Sequence, residues 1–133
     1  MARRTKEFRY AVDLGEGDNV RTEEGTPLGG SPDWTPEHLL LAALLRCSLK
    51  SLRYHARLTG VEVRDATGSG RSLVTKRESD DRYAIVEIEV ELEIALEPQP
   101  GEDELAALLA KAERDCFIGA SLTVKPTYRW SAG

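Results

Sequence analysis

A chain of 133 residues has room for one hydrophobic core and so for one domain, residues 1–133. Its 41% hydrophobic and 31% charged residues suit an ordinary soluble globular protein, and a formal net charge of −5, with arginines and lysines scattered among acids, excludes a nucleic-acid partner. No apolar run approaches the roughly 18–20 residues of a membrane helix, and no apolar signal core follows the basic start Met1-Ala2-Arg3-Arg4-Thr5-Lys6, so the expected location is the cytoplasm.

The first segment alternates. Phe8, Tyr10, Val12 and Leu14 sit at period two with Arg9, Ala11 and Asp13 between them, which predicts a half-buried strand. Gly15-Glu16-Gly17-Asp18-Asn19 signals a turn, and Val20–Thr22 begins a returning strand. Gly25–Asp33 reads as loop. Thr35-Pro36-Glu37 then opens a helix: Thr35 caps free amides, Pro36 suits the first helical position and Glu37 suits the positive end of the dipole. The helix continues through Leu39-Leu40-Leu41-Ala42-Ala43-Leu44-Leu45, Leu49, Leu52 and Ala56 towards a stop at Gly60. A helix apolar on so many faces is buried on several sides, which predicts a central helix covered by a sheet and by a second chain.

Val61–Val63 starts a strand that Leu73–Thr75 continues past Gly68 and Gly70, and Glu78-Ser79-Asp80-Asp81 is a turn. In the clearest strand Val86, Ile88, Val90, Leu92, Ile94 and Leu96 alternate with Glu87, Glu89, Glu91, Glu93 and Ala95. A water-facing sheet surface accounts for the acid row better than a metal site does. After Pro98-Gln99-Pro100-Gly101, a second helix spans Glu102–Arg114 with Cys116 at its end. Leu122, Val124, Tyr128 and Trp130 then alternate as a final strand, where Pro126 marks an edge or a bulge. Strands, helix, strands, helix, strand make an α+β domain.

No P-loop, dinucleotide glycine fingerprint, G-x-S-x-G elbow or C-x-x-C is present. His38, in the first helical turn, reads as a surface residue. His55, among Arg53, Tyr54 and Arg57, reads as facing solvent or an interface. Neither shares a metal-site spacing with a cysteine. The two cysteines of such a chain are buried small apolar residues or reactive thiols.

The segment Ser31-Pro32-Asp33-Trp34-Thr35-Pro36-Glu37-His38-Leu39-Leu40-Leu41-Ala42-Ala43-Leu44-Leu45-Arg46-Cys47 resembles the motif before the first cysteine of the OsmC/Ohr family: a Pro-Glu pair, a Leu/Ala-rich helix, and Cys ten residues after the Glu. Ala112-Glu113-Arg114-Asp115-Cys116-Phe117-Ile118-Gly119-Ala120-Ser121-Leu122 is similar to the family's second cysteine motif, with Phe117 where many members have Pro. The resemblance covers nearly the whole chain. It implies an intertwined homodimer, with antiparallel sheets packed around a long buried central helix that carries the first cysteine.

The resemblance also implies the site. Cys47 is the peroxidatic cysteine and Cys116 resolves it, with Glu37 and an arginine assisting. Arg21 is the candidate arginine, with Arg9 and Arg46 as alternatives. Burial inside a Leu/Ala-rich helix raises a thiol pKa, so a reactive Cys47 requires such a cation. The implied chemistry is reduction of organic hydroperoxides, and of hydrogen peroxide, through a Cys47 sulfenic acid and a Cys47–Cys116 disulfide. An external dithiol or a lipoylated protein restores the pair. No cofactor or metal is implied. The competing expectations are a non-catalytic, stress-associated dimeric binding protein with an apolar interface pocket, and a Cys–His thiol hydrolase, which lacks any evident spacing.

Overall fold

The computed structural model describes residues 5–29 and 31–133; the basic start Met1–Arg4, and Gly30 of the early loop, lie outside the described residues. The chain order is β1 (Phe8–Leu14), β2 (Val20–Thr22), α1 (Pro36–Leu58), β3 (Glu62–Lys76), β4 (Tyr83–Glu97), α2 (Glu102–Arg114), α3 (Phe117–Ser121) and β5 (Thr127–Ala132). The α+β class is as expected. The strands form one sheet in the order β2-β1-β3-β4-β5. The expected antiparallel pairing holds for β1–β2, β1–β3 and β3–β4, whereas β5 runs parallel to β4. The reason is the route: between β4 and β5 the chain passes through two helices, a crossover that returns it to the end where β4 began.

Alternation along β4 places Ile88, Val90, Leu92 and Ile94 in the core and the glutamates outside. The acid row is a surface face, where Arg71 reaches Glu89 and Glu91 at 2.9 and 3.1 Å. β3 runs unbroken through two glycines because close packing requires them. A Cβ on Gly68 would meet the Glu91 carbonyl oxygen at 2.0 Å, and one on Gly70 would meet Leu45 of α1 at 3.4 Å.

α1 lies on the inner sheet face with Leu41, Leu44, Leu45, Leu49 and Leu52 fully buried. Each such leucine contributes about 1.5–3 kcal/mol by leaving water. Leu108 and Ala112 of α2 are buried in the same core as these leucines. A third side of α1 is open: Leu39, Tyr54 and Leu58 are 46%, 56% and 66% exposed. No helix among the described residues is long and apolar enough to cross a membrane.

The start of α1 differs from expectation at His38, which is buried rather than on the surface. Thr35 Oγ1 accepts from the His38 backbone N–H at 3.3 Å, and His38 Nδ1 accepts from the Thr35 backbone N–H at 3.4 Å. His38 thus takes the place usually held by Glu or Gln in a capping box. Its Nε2 lies 2.7 Å from Glu23 and its ring stands edge-on to Tyr10 and Trp34. The helix ends on Thr59, and Gly60 turns the chain at φ 76°.

The final strand is shorter than its alternation suggests. Residues 117–121 are the helix α3, capped by Cys116, and pairing begins only at Thr127, after Pro126. Proline has no N–H to give to a ladder, and this one stands at the boundary.

Candidate active site

Cys47 sits midway along α1, half-buried, and Cys116 is fully buried in the turn between α2 and α3. The fold brings these two residues, 69 apart in sequence, near enough for the Cys116 thiol to act on that of Cys47, and both are free. Burial pushes the Cys47 thiol above its usual range. The backbone N–H groups of Ile118 and Phe117 oppose that rise, and the neighbouring Cys116 thiol adds to it.

A cavity of about 310 Å³ opens at Cys47. Cys47, Lys50, Ser51, Tyr54 and His55 line it from α1, and Asp115 and Phe117 line it from either side of Cys116. The spacing 47, 51, 54, 55 is one face of a helix. Most of the wall is apolar, and Phe117 is 73% exposed. His55, expected to face solvent or an interface, is half-buried in this wall. Its Nε2 lies 2.7 Å from Asp115 Oδ2, and Arg114 holds both Asp115 oxygens at 3.0 Å. The Arg114 guanidinium, with His55 assisting, lowers the Asp115 carboxyl to about 2.

On the buried side Cys116 meets Ser48, the residue after Cys47. Ser48 Oγ is 2.8 Å from the Leu44 carbonyl, 2.8 Å from the Tyr128 hydroxyl and 3.6 Å from Cys116 Sγ. The Gly119 backbone N–H points at the same sulfur from 3.5 Å. Tyr128 stacks on Trp130 with ring centres 5.7 Å apart, and burial raises its hydroxyl above the usual tyrosine range.

The other expected residues stand elsewhere within the chain. Glu37 is in the first turn of α1, ten residues and so about 15 Å of helix from Cys47. Arg21, on β2, donates to the Gly25 carbonyl at 3.1 Å. Arg46 donates to the Asp18 carbonyl at 2.9 Å and Arg9 pairs with Glu7 at 3.1 Å. None of these four lines the Cys47 cavity. The cation that does, Lys50, was missed by sequence reading, as were Tyr54, His55, Asp115 and Ser48. Lys50, Tyr54 and His55 could have been found by projecting α1 from Cys47; nothing in the sequence signalled Asp115. Among the described residues no His, Cys, Asp and Glu cluster can hold a metal ion.

The fold has solved counterparts. One is an OsmC-like protein of unknown function from Vibrio cholerae, at 13% identity and TM-score 0.66 over 97% of this chain and 99% of that one. An organic hydroperoxide resistance protein from Elizabethkingia anophelis is 16% identical at TM-score 0.59, over 95% and 96% of the two chains. The organic hydroperoxide resistance protein OhrB of Bacillus subtilis is 16% identical at TM-score 0.56, over 98% of each chain. No curated protein matches the chain in sequence. The model of the OsmC-like protein family matches residues 29–131, which include both cysteines and every element from α1 to β5 save its last residue, and the chain therefore belongs to the OsmC-like family.

Proposed function

We propose that this protein is a cytoplasmic thiol peroxidase that reduces organic hydroperoxides and, less well, hydrogen peroxide. The observation that carries this reading is an apolar cavity that opens on Cys47 and is walled by Asp115 and Phe117, the residues on either side of the nearby, buried Cys116. The hydroperoxide resistance proteins among its structural counterparts support the substrate class. In this reading the Cys47 thiolate attacks the terminal peroxide oxygen, the O–O bond breaks, and the leaving alkoxide takes a proton to become the alcohol. Cys47 is left as a sulfenic acid. The Cys116 sulfur then displaces its hydroxyl, giving a disulfide and water, and an external dithiol or lipoylated protein reduces the disulfide by exchange. No cofactor enters the cycle.

The active unit in this proposal is a homodimer. Leu39, Tyr54 and Leu58 form an exposed apolar stripe down the open side of α1, and a second chain laid on it covers the stripe. Crossing two copies of α1 also brings Glu37 of one chain, with Arg21 as the candidate arginine, towards Cys47 of the other. A cation there offsets the burial that raises the Cys47 thiol.

That raised thiol favours a second reading, a dimeric binding protein with inert cysteines. Dithiol-dependent consumption of hydrogen peroxide, cumene hydroperoxide and a lipid hydroperoxide by the purified protein separates the two. Turnover supports the peroxidase, and no turnover of any of the three supports the binding protein.

A further inference from the structure

Ser48 and Tyr128 are two hydroxyls in a wall that otherwise wants hydrocarbon. Ser48 is fully buried on the stripe of α1 that carries the buried Leu44, Leu45, Leu49 and Leu52, where a hydroxyl is costly unless it is hydrogen-bonded. We propose that Ser48, held by Tyr128, is a catalytic hydroxyl of the resolving step: it hydrogen-bonds the Cys116 sulfur and stabilises it as a thiolate while it attacks Cys47. This rests on the peroxidase reading and adds to it a residue that acts on the second cysteine rather than the first.

Donor and acceptor assignments follow from the partners. The Leu44 carbonyl only accepts, so with a neutral thiol the Ser48 O–H points there, 2.8 Å away. Tyr128 then donates to Ser48 Oγ, also at 2.8 Å. Stacking on Trp130, whose Nε1 donates to Glu113 at 2.8 Å, fixes the tyrosine ring in that position. When Cys116 loses its proton, the Ser48 O–H swings to the sulfur, 3.6 Å away, while Tyr128 keeps Ser48 Oγ satisfied. The Leu44 carbonyl still has the Ser48 backbone N–H, its helical partner. No polar group is orphaned in either state, so the switch costs little, and a hydrogen bond to a charged sulfur is stronger than one to a neutral thiol. The Gly119 N–H adds a fixed second donor at 3.5 Å.

The step balances. Cys116–SH and Cys47–SOH give Cys47–S–S–Cys116 and water: the Cys116 proton joins the departing hydroxide, the new S–S bond replaces the S–O bond, and the oxidation of Cys116 is matched by the reduction of the sulfenic sulfur. Consecutive residues of α1 thus serve opposite sides of one sulfur, Cys47 as the atom it attacks and Ser48 as the group that readies it.

The test has two arms. In a Cys47→Ser background, thiolate absorbance near 240 nm reports Cys116 alone, against a Cys47→Ser/Cys116→Ser control. The charged and titratable groups near it are Tyr128 of β5, Glu113 and Arg114 of α2, Asp115 of the turn and His55 of α1, all but the tyrosine the same in every protein compared, and the raised tyrosine is silent below about pH 9. Adding Ser48→Ala should raise the Cys116 midpoint by about one unit, and Tyr128→Phe by less. With both cysteines present, Ser48→Ala should slow disulfide formation about tenfold after one equivalent of peroxide, leave the first oxidation of Cys47 unchanged, and increase Cys47 sulfinic acid in mass spectra. Ser48→Thr, which keeps the hydroxyl, should recover most of the rate. Tyr128→Phe removes a single oxygen and carries both arms if Ser48→Ala does not fold. No peroxide consumption by the parent protein would overturn the resolving role together with the peroxidase reading. An unshifted midpoint and an unchanged disulfide rate in a protein that does consume peroxide would overturn the role of Ser48 alone.

Discussion

His55 and Asp115 clasp the Cys116 turn onto α1: His55 Nε2 stands 2.7 Å from Asp115 Oδ2, and Asp115 is the residue immediately before Cys116. Both side chains also line the cavity at Cys47. The clasp therefore sets how the Cys116 sulfur is presented to Cys47, although neither residue touches a thiol through a hydrogen bond in the described structure.

A pH dependence follows from this pair. Arg114 first, and His55 second, hold the Asp115 carboxyl at about 2, below its ordinary 3.8. A depressed folded-state value contributes stability above the unfolded value and loses it as pH falls through the folded one. The contribution should be complete above about pH 4 and fade towards about pH 2. Thermal melts over that window should show Asp115→Asn with a shallower loss of Tm than the parent. Equal slopes would mean the pair does not couple to folding. At neutral pH the same substitution should slow disulfide formation without slowing the first oxidation of Cys47.

The cysteines should behave unequally. Cys47→Ser should abolish peroxide consumption. Cys116→Ser should consume about one peroxide per site, then stall or pass to sulfinic acid, since no thiol remains to trap the sulfenic state. Quench-flow with mass spectrometry reads both. A Cys116→Ser protein dead in its first turnover beside an active Cys47→Ser protein would reverse the roles.

Local chemistry made much of the fold legible. Thr35-Pro36 and Gly60 bracket α1, and the alternation of β4 assigns its faces. The direction of β5 was not legible, because alternation reports which side is buried and not which way a strand pairs. The continuity of β3 past Gly68 and Gly70 was legible; why glycine stands there was not, since the backbone of β4 and the side chain of Leu45 demand it. In the site, both cysteines were legible through family resemblance. Their proximity was legible through the same resemblance, as the expected Cys47–Cys116 disulfide, and not from spacing, since 69 residues separate them. Ser48 left only a faint signal, a hydroxyl inside an apolar helical stripe. His38 looked like surface because a histidine in place of Glu or Gln hides a capping box.

Two glycines should separate packing from conformation. Gly68→Ala drives a Cβ to 2.0 Å from the Glu91 carbonyl, so β3 and β4 must part locally. Gly60→Ala meets nothing within 4 Å, and its cost is the φ of 76° alone, about 1–2 kcal/mol. Chemical denaturation should rank Gly68→Ala clearly below Gly60→Ala. The opposite order would show that the sheet yields more easily than the turn.

The open side of α1 makes an assembly prediction. Leu58, at 66% exposure, and Tyr54, at 56%, lie one turn apart on it. A Leu58→Glu/Leu39→Glu protein, which leaves the cavity wall intact, should run as a monomer in light scattering at micromolar concentration, where the parent should be a dimer, and should lose peroxidase activity with the dimer. A parent that is monomeric yet active would remove the need for a second chain.

On the peroxidase reading, the cavity at Cys47 sets the preference among substrates. Ala43 and Leu44 stand one helical turn before Cys47, and Phe117 and Ile118 follow Cys116. Of these Phe117 lines the cavity, joined by Tyr54 from α1, while Leu44 is fully buried in the core and Ala43 faces outward. An alkyl or aryl tail between the two rings gains about 0.8 kcal/mol per buried methylene, so two or three methylenes are worth roughly 2 kcal/mol. If that binding persists in the transition state, it is a preference of about 30-fold in kcat/KM over hydrogen peroxide, which has no tail to bury. Phe117→Ala should remove much of the gain for cumene hydroperoxide and leave the hydrogen peroxide rate nearly unchanged, because the O–O group is common to both and meets Cys47 in either case. The exposed Phe117 ring makes this a safe substitution for folding, so a loss of rate reads on substrate rather than on stability. Parallel losses for both peroxides would show that Phe117 acts on the thiols and not on the tail.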